Sequence, residues 1–232
     1  MEFIPFFLLA IVLLILVIVI WLKARNAKRM EYIRSFRLPD GLFEQLRVRR
    51  PEFGLKECQL VSHALRHFFL AYLKSGKKFV AMPSQSVDDL WHEFILHTRA
   101  YEEFCQNAFG NFLHHTPAVA LTSVKESNAG LRRCWWYVCL EENIDPRAPT
   151  RLPLLFALDK KLNIKDGFFY APDCSGFRKQ NKDGSDTVIH CGGDFSSTSI
   201  DGGTDGFGDS DSGCGGGDSG CGGGCGGGCG GD

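Results

Sequence analysis

The sequence predicts a mainly α-helical protein in three parts: an N-terminal transmembrane helix, a compact helical bundle domain and a disordered tail rich in glycine and cysteine. Three observations predict this. Residues 3–22 are apolar and carry no charge. Several later segments repeat apolar residues at helical spacing. Most of the 27 glycines lie beyond residue 191. The expected boundaries are an anchor at 1–22, a basic juxtamembrane linker at 23–38, the helical domain at 39–165, an irregular extension at 166–191 and the tail at 192–232.

The anchor is the plainest element. Twenty helical residues rise about 30 Å, the thickness of a bilayer's hydrocarbon core. Phe3, Leu9, Ile15 and Ile20 face lipid in this reading, and Trp21 lies at headgroup depth, where an amphipathic ring is favoured. Pro5 falls in the first turn, where its missing N–H breaks no helical bond. A cleaved signal peptide would carry a basic start, a shorter apolar stretch and a small-residue cleavage site. Here the chain starts Met1-Glu2, and Trp21-Leu22-Lys23 follows the apolar run. Lys23, Arg25, Lys28, Arg29, Arg34 and Arg37 stand against Glu31 alone. The positive-inside rule therefore places the N-terminus outside and the following domain in the cytoplasm, where thiols are mostly reduced.

Beyond the linker, residues 41–50 read as a short helix before Pro51. Residues 56–75 carry the stripe Leu60, Val61, Ala64, Leu65, Phe68 and Tyr72, and end at Ser75-Gly76. The longest predicted helix covers 86–109. Ser86 would cap it, and Asp88 and Asp89 suit its positive end. Its wide apolar girth suggests the central helix of the bundle. Helices are also expected at 128–142, around Leu131, Trp135 and Val138, and at 150–162, around Leu154, Leu155 and Leu158. Residues 166–191 lack periodicity and read as loops or a hairpin joining Phe168-Phe169-Tyr170 to Thr187-Val188-Ile189. Residues 192–232 offer almost nothing to bury and cannot offset their ordering entropy.

The chemistry-bearing residues concentrate in 88–115. His92-Glu93 and His97 superficially suggest a zinc-protease helix, but that motif needs histidines four apart on one face. Five residues place these two about 140° apart. Asp88 and His92, by contrast, are neighbours one turn apart. A carboxylate beside an imidazole orients and activates it as a metal ligand. Gly110 should stop the helix and let the chain return His114 or His115 toward His92. Asp88, His92, His114 and His115 are therefore the candidate ligands for zinc or another transition metal. The competing interpretation is a structural His92–Asp88 hydrogen bond with the histidine pair capping a turn. His63 and His67 form a further i, i+4 pair, read more simply as a solvated helix edge. Cys105, Cys134 and Cys139 read as small core residues. Cys214, Cys221, Cys225 and Cys229, with His190-Cys191 upstream, could wrap a soft ion. They lack the short knuckle spacing of structural zinc sites, which favours a plain flexible tail.

The run Val87-Asp88-Asp89-Leu90-Trp91-His92, with Tyr101, Cys105, Phe109-Gly110 and His114-His115-x-Pro117, resembles the signature of the glycine-rich domain-containing protein-like family. The resemblance covers roughly residues 39–162, and the tail is similar to those of membrane-anchored bacterial relatives. Where some members carry a second histidine after Trp-His, this chain has Phe94. The resemblance implies a helical domain and supplies no established activity.

Net charge is −1, and no basic cluster falls on the folded domain, which excludes a nucleic-acid-binding surface. The expected partners are the lipid bilayer and a protein of unspecified identity. The leading functional expectation is a membrane-anchored binding or scaffold module with a metal site. The alternative is a metal-dependent, hydrolase-like enzyme, with His92 as ligand and Asp88 or Glu93 handling protons. A third is redox or metal storage by the tail thiols.

Overall fold

A computed structural model describes residues 3–116, 124–172 and 190–191. The predicted disordered tail at 192–232 and Thr187-Val188-Ile189 lie outside the described residues, as do the tail cysteines. The described chain is mainly helical, in the order α1 (Phe3–Ser35), α2 (Leu42–Arg49), α3 (Leu55–Lys74), α4 (Gln85–Leu96), α5 (Thr98–Ala108), α6 (Val124–Glu141) and α7 (Leu154–Lys161). Two short strands follow, β1 (Tyr170–Ala171) and β2 (His190–Cys191).

Helix α1 is long and apolar enough to cross a membrane, and its side chains from Phe6 to Leu22 are exposed. It does not stop at residue 22. The basic stretch, expected as a linker, continues the same helix to Ser35. Lys, Arg, Ala, Met and Glu favour helix, and no Gly or Pro intervenes before Pro39. The distal end docks on the domain: Ile33 is fully buried, and Phe36 packs against Phe104 and Phe94 with ring centres 4.7 and 5.8 Å apart.

The central helix is α3, which touches α1, α2, α4, α6 and α7. The sequence pointed instead to 86–109. The decisive run is Phe68-Phe69-Leu70-Ala71-Tyr72-Leu73, buried on every side of α3, as a helix apolar all round must be. The expected 86–109 helix is two helices. It breaks at His97 (φ −79°, ψ 60°), which ends α4 and opens α5. No Gly or Pro marks this break. It lets α5 fold back so that Tyr101 and Phe104 meet Phe94 at 5.1 and 5.4 Å.

Helices α6 and α7 close the core through Cys134, Trp135, Val138, Cys139, Leu155 and Phe156, all buried. Trp135 meets Phe156 edge-on at 5.1 Å and donates its indole N–H to the Pro146 carbonyl at 3.0 Å. Glu142 ties this half together: Arg151 and the Leu154 amide both donate to it at 2.6 Å. Strands β1 and β2 pair in parallel, Tyr170 opposite His190 and Ala171 opposite Cys191. The expected hairpin would be antiparallel. A parallel pair needs a long crossover rather than a turn.

Candidate metal centre

The N-terminus of α4 is held more firmly than its sequence suggests. Ser84, not Ser86, is the capping residue, and its hydroxyl accepts from the Val87 amide at 3.4 Å. The wholly buried Asp159 of α7 lies across this helix end. Ser84 and Ser86 hydroxyls donate to it at 2.7 Å each, as do the Gln85 and Ser86 amides at 2.7 and 3.2 Å. The Phe168 amide adds a fifth bond at 3.0 Å. A carboxylate here answers both the orphan amides and the positive end of the helix dipole.

From that fixed end the helical period sorts the acids by face. Asp89 and Glu93 are buried against α2, where Arg50 donates to Asp89 at 2.8 Å and Arg49 to Glu93 at 2.5 Å. Arg50 also reaches Asp166 at 2.6 Å. Asp88 and His92 point the other way, and His92 Nδ1 lies 3.4 Å from Asp88 Oδ2.

The chain then returns, as expected, at Gly110. Its φ of 74° is left-handed, a conformation that costs glycine little, and its amide donates to the Gln106 carbonyl at 2.9 Å. The Arg29 guanidinium covers the space where a Cβ would stand. Past the turn, the Tyr101 hydroxyl fixes the path of the loop. It donates to the Leu113 carbonyl at 2.6 Å and accepts the Trp91 indole N–H at 3.1 Å. Burial pushes the Tyr101 phenol far above its ordinary value, so it remains a donor. Two residues on, His115 packs edge-on against Trp91 at 4.6 Å, and its Nε2 lies 2.9 Å from Asp88 Oδ1.

Asp88, His92 and His115 thereby place one ligand atom each within 4.8 Å of one another. All three are half-buried. They line one wall of a cavity of about 660 Å³, shared with Phe68, Phe79, Met82, Leu131 and Phe168. Two imidazoles and a carboxylate are a ligand set that would suit zinc, and three protein ligands would leave room for a water or a substrate atom. His114 does not join the group. Its side chain is exposed, stacked on Phe112 at 4.8 Å. His114 also borders the cavity, but of the pair only His115 brings a ring nitrogen to Asp88 and His92.

The remaining candidates stand elsewhere. His97 pairs with Gln45 at the helix break, 3.2 Å away. His67 is not a solvated edge: it is 8% exposed, with Nδ1 3.2 Å from Glu142, while His63 is exposed beside it. Cys58, Cys105, Cys134 and Cys139 are buried. Burial raises the thiol pKa of each, that of Cys139 to about 12, so none is a poised nucleophile. Sequence reasoning missed Asp159, Ser84 and the bridging role of Tyr101. Trp91 and Tyr101 were legible as helix-face residues, but their hydrogen bond crosses a break that the sequence does not announce.

The chain belongs to the UCP032817-like family, an uncharacterised family whose profile matches residues 28–195. No curated protein and no solved structure matches it.

Proposed function

We propose that this protein is a membrane-anchored binding module that holds a transition metal, zinc in the first instance, at Asp88, His92 and His115 and presents it to a ligand in the adjoining cavity. The observation that carries the reading is the convergence of three ligand atoms on a cavity wall. The three groups come from one helix face and a distant loop. Tyr101 and Asp159 support both segments with buried hydrogen bonds, as the surroundings of a metal site usually do. His114 is left out of the ligand set.

The cavity favours one further reading, a metal-dependent hydrolase. The open coordination position would activate water at near-neutral pH. Glu93 is committed to Arg49 and away from the cavity, so in this reading His92 and His115 would hold the metal and Asp88 would handle protons. The basic stretch after Trp21 supports a cytoplasmic domain with the N-terminus outside. The likeness to glycine-rich domain-containing proteins of membrane-anchored bacterial type belongs to the same proposal, resting on the Asp88 to His115 signature and the tail composition.

The test is elemental analysis of the full chain, purified in detergent without chelators. One metal per chain is expected, lost in His92→Ala and in His115→Ala but retained in His114→Ala. A folded wild-type chain without metal, even after loading with zinc, would overturn the reading. A panel of ester and phosphoester substrates then separates binder from hydrolase, since turnover abolished by His92→Ala supports the latter.

A further inference from the structure

The cavity has a second chemical feature besides the histidines. Lys77 lines it, held there by a left-handed turn at Gly76 and Lys77 (φ 73° and 64°). Arg29 lies nearby, against Gly110 and so beside the cavity residue Asn111. Among the described residues no carboxylate pairs with either cation. Burial lowers the proton affinity of Lys77, and repulsion from Arg29 and Arg25 lowers it further. Like charges gathered without an acid are relieved by an anion.

The rest of the lining is largely apolar: Phe68, Phe79, Met82, Leu131 and Phe168 are among its walls. A volume of about 660 Å³ falls in the range of small-molecule sites. The membrane is close. Arg25 packs its guanidinium over Trp21 at 4.8 Å, and Trp21 marks headgroup depth. Helix α1 runs unbroken to Arg29, about 12 Å farther along at 1.5 Å per residue. The basic edge of the cavity therefore stands within a lipid's reach of the bilayer surface.

We propose that this cavity binds an amphiphile with a single anionic headgroup, supplied by the bilayer, its headgroup at Lys77 and Arg29 and its apolar body among Phe68, Phe79, Met82 and Leu131. Asp88 also lines the cavity, and its carboxylate repels an anion, so the headgroup is drawn to the cations rather than to the acid. The inference requires no metal at the histidine cluster and stands or falls separately from that reading.

The experiment uses the full chain in phosphatidylcholine nanodiscs. A photoactivatable phosphatidic acid is supplied in the bilayer, and crosslinked peptides are mapped by mass spectrometry. Labelling is expected in the segments around 79–82 and 131, competed by unlabelled phosphatidic acid and not by added phosphatidylcholine. Reversing the charge with Lys77→Glu should cut labelling about tenfold, given that each cation near a membrane surface contributes several-fold in affinity. Leu131→Trp, which fills the cavity, should abolish it. Lys77 is only partly buried, so Lys77→Glu keeps the test informative should Leu131→Trp not fold. Labelling confined to 3–22, or unchanged by Lys77→Glu, would overturn the proposal. A second arm offers octyl phosphate in solution below its micelle concentration. Saturable binding of octyl phosphate, weakened by Lys77→Glu, without any bilayer-supplied labelling would overturn the membrane as source and leave a soluble phosphate amphiphile.

Discussion

Replacing Tyr101 by Phe removes one oxygen and leaves the ring packing intact. In the native structure that oxygen is fully buried, accepts from Trp91 and donates to Leu113. The variant leaves an indole N–H and a carbonyl without partners. Each buried orphan costs about 1–3 kcal/mol. The Leu113 carbonyl lies in a loop that can shift toward water, so the sum should be near 3 kcal/mol. At roughly 2–4 °C per kcal/mol for a domain of this size, the melting temperature of the detergent-solubilised chain should fall by about 6–12 °C. The same oxygen holds the loop that brings His115 to Asp88, so zinc affinity should drop about 10–100-fold, as when other supports of metal ligands are lost. Isothermal titration with zinc and a thermal melt, run on the same preparations, measure both. A melting temperature within about 1 °C of wild type together with unchanged zinc affinity would refute the reasoning.

Asp159→Ala should be the more destabilising change, by about 3–5 kcal/mol, because it strips a buried network of its acceptor; denaturant unfolding measures it, and a loss under 1 kcal/mol would contradict the role assigned to Asp159. Stability should also fall in acid. For Glu141 and Glu142, burial raises the carboxyl pKa, but Lys74 and Arg34 on the first, and His67 and Arg151 on the second, hold it below the ordinary 4.5. Their contribution is complete above pH 4.5 and is lost as pH drops through the lowered native values. His63 works in the same direction from a higher starting point: although the residue is exposed overall, partial loss of water around its ring, then His67 and Arg66, lower its pKa from 6.5, so the unfolded chain takes up the proton first. Melting temperature against pH should decline gently below 6.5 and steeply below 4.5, and Glu141→Gln should flatten the lower limb. The thiols of Cys134 and Cys139 should resist iodoacetamide in the folded chain and react on unfolding, as mass spectrometry would show.

The sequence carried the fold class because a long apolar run and helical periodicity are local signals. It carried Asp88 and His92 for the same reason, since four residues on a helix fix a neighbour. It did not carry the choice between His114 and His115, which depends on a loop whose direction is set by a hydroxyl from another helix. Nor did it carry the helix break at His97, where no residue is intrinsically averse to helix and aromatic packing decides. The central position of α3 was obscured in a similar way. Its stripe of Leu60, Val61, Ala64, Leu65, Phe68 and Tyr72 marks one face, whereas the run 68–73 is apolar on all faces, and the greater length of 86–109 masks that difference.

The continuity of α1 changes what its apolar half can do. A flexible linker at 23–38 would let the domain tumble at a distance from the bilayer. One helix from Phe3 to Ser35 with Ile33 buried in the core instead makes the helix that is long and apolar enough to cross a membrane part of the domain's packing. The aromatic contacts of Tyr32 and Phe36 with Phe104 hold α1 against α5, and α5 leads directly into Gly110 and the loop bearing His115. Arg34 carries the same attachment to the far side: it reaches Glu141 at 2.8 Å, and Lys74 of α3 meets the same carboxylate. The basic edge of the cavity and the histidine wall are thus both built on segments that α1 supports. Cutting the chain after residue 38 would remove Arg29, the packing under α5 and one arm of the Glu141 cluster together. Helix α1 is accordingly a structural component of the site.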